Sequence, residues 1–127
     1  MDTVAAAQGK PTLQIGVEPV GRAEVTVSVH GELDCATADQ LRSAITELLN
    51  RGGLTAIGLD LRGLTFIDSS GIGTLVVAQR ICQQVGVRMR LTAVNAFAAR
   101  VLGVVGVDAA LGLPATAGAP AALVGAD

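Results

Sequence analysis

Aromatic residues are nearly absent from this sequence, which has no Trp, no Tyr and only two Phe among 127 residues. A core without them is built from Val, Leu, Ile and Ala, whose side chains carry no polar atoms that need partners. The same absence leaves little on which a nucleobase or a flat cofactor ring would stack. We therefore expect a protein without a bound cofactor.

An excess of charge of one sign is also lacking, since nine Lys and Arg stand against eleven Asp and Glu. This balance gives no basic footprint for nucleic acid or for an anionic membrane. No apolar run approaches the roughly 18 residues of a membrane helix, and the start lacks the regions of a signal peptide. We expect one compact cytoplasmic domain that binds neither nucleic acid nor membrane.

The two cysteines, Cys35 and Cys82, form neither a CxxC motif nor a Cys/His pair. Zinc sites and disulfide scaffolds require such spacings, so we predict no metal site. The simpler interpretation is that both are small buried or half-buried side chains. A redox-sensitive pair is the alternative, because spacing in sequence does not show whether two thiols are close.

Hydrophobic periodicity predicts a single α/β domain. Strict alternation over 13–17 and 25–29 predicts a hairpin. An apolar run over 54–61 predicts a strand covered on both faces, and alternation over 87–93 predicts a further strand. Apolar residues at helical spacing predict three helices: one after Thr37, one over residues 70–84, and one from Asn95 to Gly106. The order β-β-α-β-α-β-α predicts a mixed, mainly parallel sheet with packed helices and an antiparallel N-terminal hairpin.

Capping signals and composition set the boundaries of these segments. Thr37 with Gln40 matches a capping box for the first helix, and Asn95 is a suitable cap for the third. Residues 1–11 show no periodicity and are predicted to form a flexible tail before a domain over 12–113. Residues 114–127 are rich in Ala, Gly and Pro, which predicts a weakly helical or disordered segment.

The most informative segment is Asp68-Ser69-Ser70-Gly71-Ile72-Gly73, which joins a strand to a helix. In parallel α/β sheets such loops lie at the carboxyl ends of strands, where ligands and partners bind. Two hydroxyls at a helix start suit an added phosphate, which the helix dipole favours. N-capping alone also explains Asp and Ser before a helix. The residues by themselves do not separate Ser69 from Ser70.

Two sequence motifs of enzymes are incomplete in this segment. A dinucleotide fingerprint lacks its third glycine, because Val76 stands at that position, and a nucleophile elbow lacks the glycine two residues before either serine. A small hydrolase or transferase remains an alternative, with Ser70 as nucleophile and His30 as base. That alternative requires His30 within hydrogen-bond reach of the serine.

Three segments together resemble the STAS domain of bacterial anti-sigma factor antagonists, the SpoIIAA-like proteins. The first is Gly31-Glu32-Leu33-Asp34 followed by Thr37, and the second runs from Leu59 through the Asp-Ser-Ser-Gly-Ile-Gly motif. The third combines Arg100-Val101-Leu102 with Gly106-Val107-Asp108. Their order and spacing over residues 12–113 make the resemblance more specific than any single motif.

The resemblance implies a switch protein and not an enzyme. In that family the unphosphorylated form binds an anti-sigma factor that is also a serine kinase, which frees the sigma factor. The kinase phosphorylates the antagonist, and a PP2C-type phosphatase resets it. The family's phosphorylated serine falls at Ser70. The partner-binding residues that the resemblance implies are Glu32, Asp34, Thr37, Asp68, Ser69, Ser70, Gly71, Ile72 and Gly73. A STAS module of a stressosome or a lipid-transport complex is the alternative.

Overall fold

The computed structural model describes residues 13–104, which form one four-stranded sheet and three helices. The strands are β1 (Leu13–Pro19), β2 (Glu24–Leu33), β3 (Ala56–Ile67) and β4 (Arg88–Val94), and the helices are α1 (Ala38–Arg51), α2 (Ser69–Gln84) and α3 (Ala96–Val104). Strand order is β1-β2-β3-β4, with β1 and β2 antiparallel and the other pairs parallel. The predicted mixed sheet with an N-terminal hairpin is confirmed. The predicted tail over 1–11, the segment 114–127 and the helix end at Gly106 lie outside the described residues.

One face of the sheet and the three helices share a single hydrophobic core. The core positions of β2, β3 and β4 alternate along each strand and include Val27, Val29, Ile57, Leu59, Met89 and Leu91. Matching apolar stripes on the helices include Leu41, Ile45, Leu75, Ala78, Ala98 and Leu102. The alternate strand positions, such as Ser28, Asp60 and Arg90, are half-buried or exposed. This arrangement leaves the loops at the carboxyl ends of the parallel strands accessible.

Strand β3 is longer than its apolar run suggests. The sequence predicts a strand over 54–61, covered on both faces, whereas the strand runs from Ala56 to Ile67 and its alternate residues Gly58 and Asp60 are half-buried. Pairing with β2 shifts register where Ser28 lies opposite Asp60 and His30 lies opposite Gly63. The extra residue is a bulge that breaks the alternation, so a search for a strict period of two ends the strand too early.

The side chain of Asn95 ties this bulged stretch to α3. Its Oδ1 accepts a hydrogen bond from the Ala98 N–H at 2.7 Å, which confirms the predicted cap. Its Nδ2 donates to the carbonyl oxygens of Arg62 at 3.0 Å and Leu64 at 2.7 Å. One amide therefore satisfies the first turn of a helix and two backbone carbonyls of a neighbouring strand.

The polar face of the sheet carries an ion pair next to the bulge. Arg62 Nη2 lies 2.8 Å from Asp60 Oδ2, and the Asp60 side chain is only 13% exposed. The side-chain hydrogen bond from Arg62 lowers the pKa of Asp60 below its ordinary value of 3.8, against the opposing effect of burial. The Arg62 backbone N–H, the Arg62 charge and the His30 charge act in the same direction.

Replacement of Asn95 by Asp tests the double role of the amide. The variant keeps an oxygen for the cap but places a negative oxygen against two carbonyl oxygens, so we expect unfolding free energy to fall by about 1–3 kcal/mol. Urea denaturation measures the change. Asn50→Asp, at an exposed position on α1, is the matched control and is expected to change stability by less than about 0.5 kcal/mol. Equal losses in the two variants would contradict the assignment.

The Asp60 ion pair predicts a pH dependence whose sign follows from the lowered pKa. The pair stabilises the fold above the unfolded carboxyl pKa, and this contribution disappears as the pH falls through the lower folded value. In Arg62→Gln the pKa of Asp60 is expected to rise, because the largest cause of its lowering has been removed. A carbon-detected NMR titration of the Asp60 carboxyl, with Arg51→Gln as control, measures this. Identical midpoints in wild type and Arg62→Gln would refute it.

Candidate protein-interaction site

The loops that follow β2 and β3 meet at one edge of the sheet. Leu33 and Ile67, near the ends of these strands, are partners in the parallel register. The Asp68 N–H then donates to the Leu33 carbonyl oxygen at 3.3 Å. Parallel pairing thus places the two segments that carry the sequence motifs side by side, as expected for carboxyl ends of adjacent strands.

Thr37 organises the loop between β2 and α1. Its side chain is 4% exposed, and its hydroxyl donates to the Glu32 carbonyl oxygen at 2.8 Å. The same hydroxyl accepts from the Asp34 N–H at 2.9 Å. Asp34 Oδ1 in turn accepts from the Ala36 and Thr37 N–H groups at 3.0 and 3.2 Å. These bonds hold the loop in one conformation through its own backbone groups.

The predicted capping box at α1 is wrong. Thr37 occupies the N-cap position, but its side chain makes no capping bond, because the hydroxyl points back to Glu32 and Asp34. Gln40, the other half of the predicted box, donates from Nε2 to the Leu13 carbonyl oxygen of β1 at 3.1 Å. The reciprocal bonds of a capping box are therefore replaced by bonds of Thr37 within its loop and by a bond of Gln40 to a residue 27 positions away.

Asp68 caps α2 in the way that its position before the helix predicts. Its backbone is extended, and Oδ1 accepts from the Gly71 N–H at 3.0 Å. The Asp68 carbonyl accepts from the Ile72 N–H at 2.9 Å, which begins the helical bonding. The carboxylate thereby provides an acceptor for one of the N–H groups that lack a partner within the helix. This bond sets the start of α2 and so the positions of Ser69 and Ser70.

Ser70 opens onto a shallow depression of about 380 Å³ between α1 and α2. Ser69 and Ser70 are both exposed, but only Ser70 is among the residues that line the depression. Along α2 the lining residues are Ser70, Gly73, Thr74 and Val77, and from the α1 side they are Cys35, Ala38 and Arg42. The spacing of three, four and seven residues places the α2 set on one face of the helix. Ser70 therefore lines the depression and Ser69 does not, a difference that the local sequence does not predict.

Burial divides the nine predicted partner-binding residues into three groups. Glu32, Ser69, Ser70 and Gly73 are exposed; Asp34, Asp68 and Ile72 are half-buried; Thr37 and Gly71 are buried. Buried groups act on a partner only through the positions of their neighbours. Thr37 and Gly71 are therefore positioning residues, and the other seven offer surface to a partner.

Four residues that line the depression with Ser70 are absent from the sequence-based set: Ala38, Arg42, Thr74 and Val77. Val77 is an exposed large hydrophobic residue. Helical spacing from Ser70 identifies Thr74 and Val77 once the bounds of α2 are known. Arg42 lies on another helix, so its place beside Ser70 depends on tertiary packing that no local pattern reports.

Gly71 is a position at which α2 lies close against β2. A Cβ at this position would collide with the Leu33 carbonyl oxygen and would lie 2.9 Å from Ile67 Cγ1 and from Leu33 Cγ. By contrast, a Cβ at Gly73 would meet no atom within 4 Å. The two glycines of the motif thus have different roles: Gly71 permits backbone contact, and Gly73 leaves the depression open.

The two cysteines occupy unlike environments. Cys82 is a buried core residue, as the simpler interpretation predicts, and burial raises the pKa of its thiol. Cys35 is exposed and lines the depression, so the prediction of a buried or half-buried side chain is wrong for it. Both are free thiols, and the structure shows no bond between them. Cys35 is exposed because it follows Asp34 in a loop that closes on its own backbone bonds.

His30 lies within β2, which continues to Leu33. Its ring covers Gly63 of β3, where an added Cβ would lie 2.8 Å from the His30 Cγ. Among the described residues, His30 forms no hydrogen bond with Ser70. The His30–Ser70 hydrogen bond on which the hydrolase alternative depends is thus not formed among the described residues.

Within the described range, no three His, Cys, Asp or Glu side chains converge as metal ligands would. No helix between residues 13 and 104 is both long enough and apolar enough to cross a bilayer.

The contact at Gly71 predicts opposite effects for two similar substitutions. Gly71→Ala is expected to lower the unfolding free energy by about 1–3 kcal/mol, because backbone and core atoms must move apart. Gly73→Ala is the matched control, and in an open helical position it is expected to raise stability by up to about 1 kcal/mol. Chemical denaturation measures both. The proposed contact fails if Gly71→Ala is as stable as Gly73→Ala.

The sequence and the fold are similar to those of known regulatory proteins. A family model described as Mlab, STAS domain matches residues 19–114. An anti-sigma F factor antagonist from Lysinibacillus sphaericus is 36% identical over 72 residues, covering 57% of this chain and 62% of the relative. The match therefore spans less than two thirds of that relative's length.

Two solved structures share the fold. The anti-sigma factor antagonist SpoIIAA in its unphosphorylated form is 28% identical, with a TM-score of 0.65, over 76% of this chain and 84% of that chain. The Bacillus cell fate determinant SpoIIAA in the phosphorylated form is 27% identical, with a TM-score of 0.58, over 77% and 87% of the two chains. Together with the extent of the family-model match, these similarities show that the chain belongs to the STAS domain family.

Proposed function

We propose that this protein is an anti-sigma factor antagonist whose unphosphorylated form binds an anti-sigma factor and thereby releases a sigma factor. In this proposal the anti-sigma factor is also a serine kinase, which inactivates the antagonist by phosphorylating Ser70. A phosphatase of the PP2C type restores the active form. The role is one of binding and not of catalysis by this chain, and it places the protein in the cytoplasm, where sigma factors act.

The exposure of Ser70 at the rim of the depression is the observation that carries the proposal. A kinase needs an accessible hydroxyl, and a partner needs a surface that a phosphate would alter. Ser70 is accessible because it lies in the exposed first turn of α2, two residues after the cap Asp68. It also lines the surface between α1 and α2 that a partner would cover. Val77, exposed on the same surface, offers apolar area for a partner to bury.

The rigidity of the surrounding loops supports a switch that acts through charge. The Asp34 and Asp68 side chains are already bonded to backbone N–H groups of their own segments. A neutral Ser70 allows a partner to cover this surface, whereas a phosphate adds about two negative charges that must be desolvated or paired. A penalty of about 3 kcal/mol lowers affinity by roughly a hundredfold.

The similar proteins support the same assignment. The Lysinibacillus relative is an anti-sigma F factor antagonist, and SpoIIAA is known in unphosphorylated and phosphorylated forms. The Asp-Ser-Ser-Gly-Ile-Gly motif lies at the start of α2, where it presents Ser70 to the depression. Of the two serines, Ser70 is the one on this surface, which favours it over Ser69 as the modified residue.

Capture of partners from the source cytoplasm by four forms of the protein tests the proposal. Wild type and Ser70→Ala are expected to retain a serine kinase that Ser70→Asp fails to retain, as mass spectrometry of the captured proteins would show. Ser69→Ala is the matched control and is expected to behave as wild type. The captured kinase, supplied with ATP, is expected to phosphorylate wild type and Ser69→Ala but not Ser70→Ala.

A different pattern of capture would indicate the other STAS assignment. If all four forms retain the same partner and that partner is not a kinase, the protein serves another assembly, such as a stressosome or a lipid-transport complex. Phosphorylation of Ser70→Ala at Ser69 would contradict the choice of residue while leaving the switch itself in place.

A further inference from the structure

Arg42 of α1 supplies a positive charge to the depression that Ser70 lines. Among the described residues that line it, Arg42 is the one cation, and Ser70 and Thr74 face it from α2. Its guanidinium pairs with Asp39, three residues earlier on the same helix. Both side chains of that pair are well exposed, at 51% for Arg42 and 80% for Asp39. Such a pair contributes little stability, so a stronger anion nearby competes for the guanidinium.

Two acidic side chains at this edge, Asp34 and Asp68, already accept backbone hydrogen bonds. Asp68 Oδ1 binds the Gly71 N–H, and Asp34 Oδ1 binds the Ala36 and Thr37 N–H groups. Neither carboxylate forms an ion pair with Arg42 in the structure. A phosphate on Ser70 would therefore lie near two carboxylates that are held by backbone groups, with one exposed cation on α1.

We propose that Arg42 binds the phosphate of phosphorylated Ser70, and that its ion pair with Asp39 breaks when it does so. This inference rests on the proposed function, since it concerns the form in which Ser70 carries a phosphate. A guanidinium suits the task because its planar set of N–H groups matches phosphate oxygens. The Thr74 hydroxyl, one helical turn after Ser70, offers a further donor on the same face.

The exchange of partners extends the effect of phosphorylation from α2 to α1. In the unphosphorylated form the α1 surface presents a neutral Asp39 and Arg42 pair beside the depression. Once Arg42 turns to the phosphate, Asp39 is left as an unpaired negative charge on α1. A partner that docks across both helices then meets altered charge on each of them, although only Ser70 is modified.

Phosphoserine installed at position 70 during protein synthesis permits a test without a kinase or a partner. The second pKa of the phosphate, followed by phosphorus NMR, is expected to be higher in Arg42→Gln than in wild type by about 0.3–0.7 pH units, because a paired cation favours the dianion. Arg42→Lys is expected to recover part of the shift. Arg51→Gln, the same change in the last turn of α1, is the matched control.

Two results would overturn the inference. Equal phosphate pKa values in wild type, Arg42→Gln and Arg51→Gln would show that Arg42 does not bind the phosphate. Equal increases in Arg42→Gln and Arg51→Gln would show a general effect of net charge. Thermal unfolding of each variant confirms that the fold is intact, which the exposure of both arginines leads us to expect. Because no partner takes part, failure here leaves the capture experiment, and with it the proposed function, separately testable.

Discussion

The contact between the start of α2 and the end of β2 is the constraint on which this site depends. Gly71 has no side chain, so the helix backbone reaches the Leu33 carbonyl, and the Asp68 N–H bonds to that same oxygen. If the helix began further from the sheet, Ser70 would no longer face α1. The position of the serine is therefore determined by backbone contact within the core and not by the flexible part of a loop.

Around this contact, the side chains of Thr37, Asp34 and Asp68 form hydrogen bonds within their own segments. Thr37 joins Glu32 to Asp34 by its hydroxyl, and Asp68 caps the helix. The result is a preformed surface with a neutral hydroxyl at its rim. A surface of this kind changes its binding properties when charge is added, without any need for the fold to change.

The sequence predicts the architecture well, because strand alternation, helix faces and the order of elements are local properties. The Asp-Ser-Ser-Gly motif likewise identifies the surface, and the caps by Asp68 and Asn95 follow from their positions. What it does not predict depends on contacts with other elements. The Thr37 hydroxyl bonds to Glu32 of β2, and Gln40 bonds to Leu13 of β1. The bulge lengthens β3, and Arg42 lines the same depression as Ser70 from α1.

The central claim is that phosphorylation changes the charge of this surface and leaves its backbone in place. Amide hydrogen exchange of the Asp68 and Gly71 N–H groups, compared between the unphosphorylated protein and the protein with phosphoserine at position 70, tests it most directly. Each N–H is bonded in the structure, to the Leu33 carbonyl and to Asp68 Oδ1 respectively. Protection retained at both sites in the phosphorylated form is the predicted result. Loss of protection at both would show that the helix start detaches from β2, and that the switch works by a change of structure.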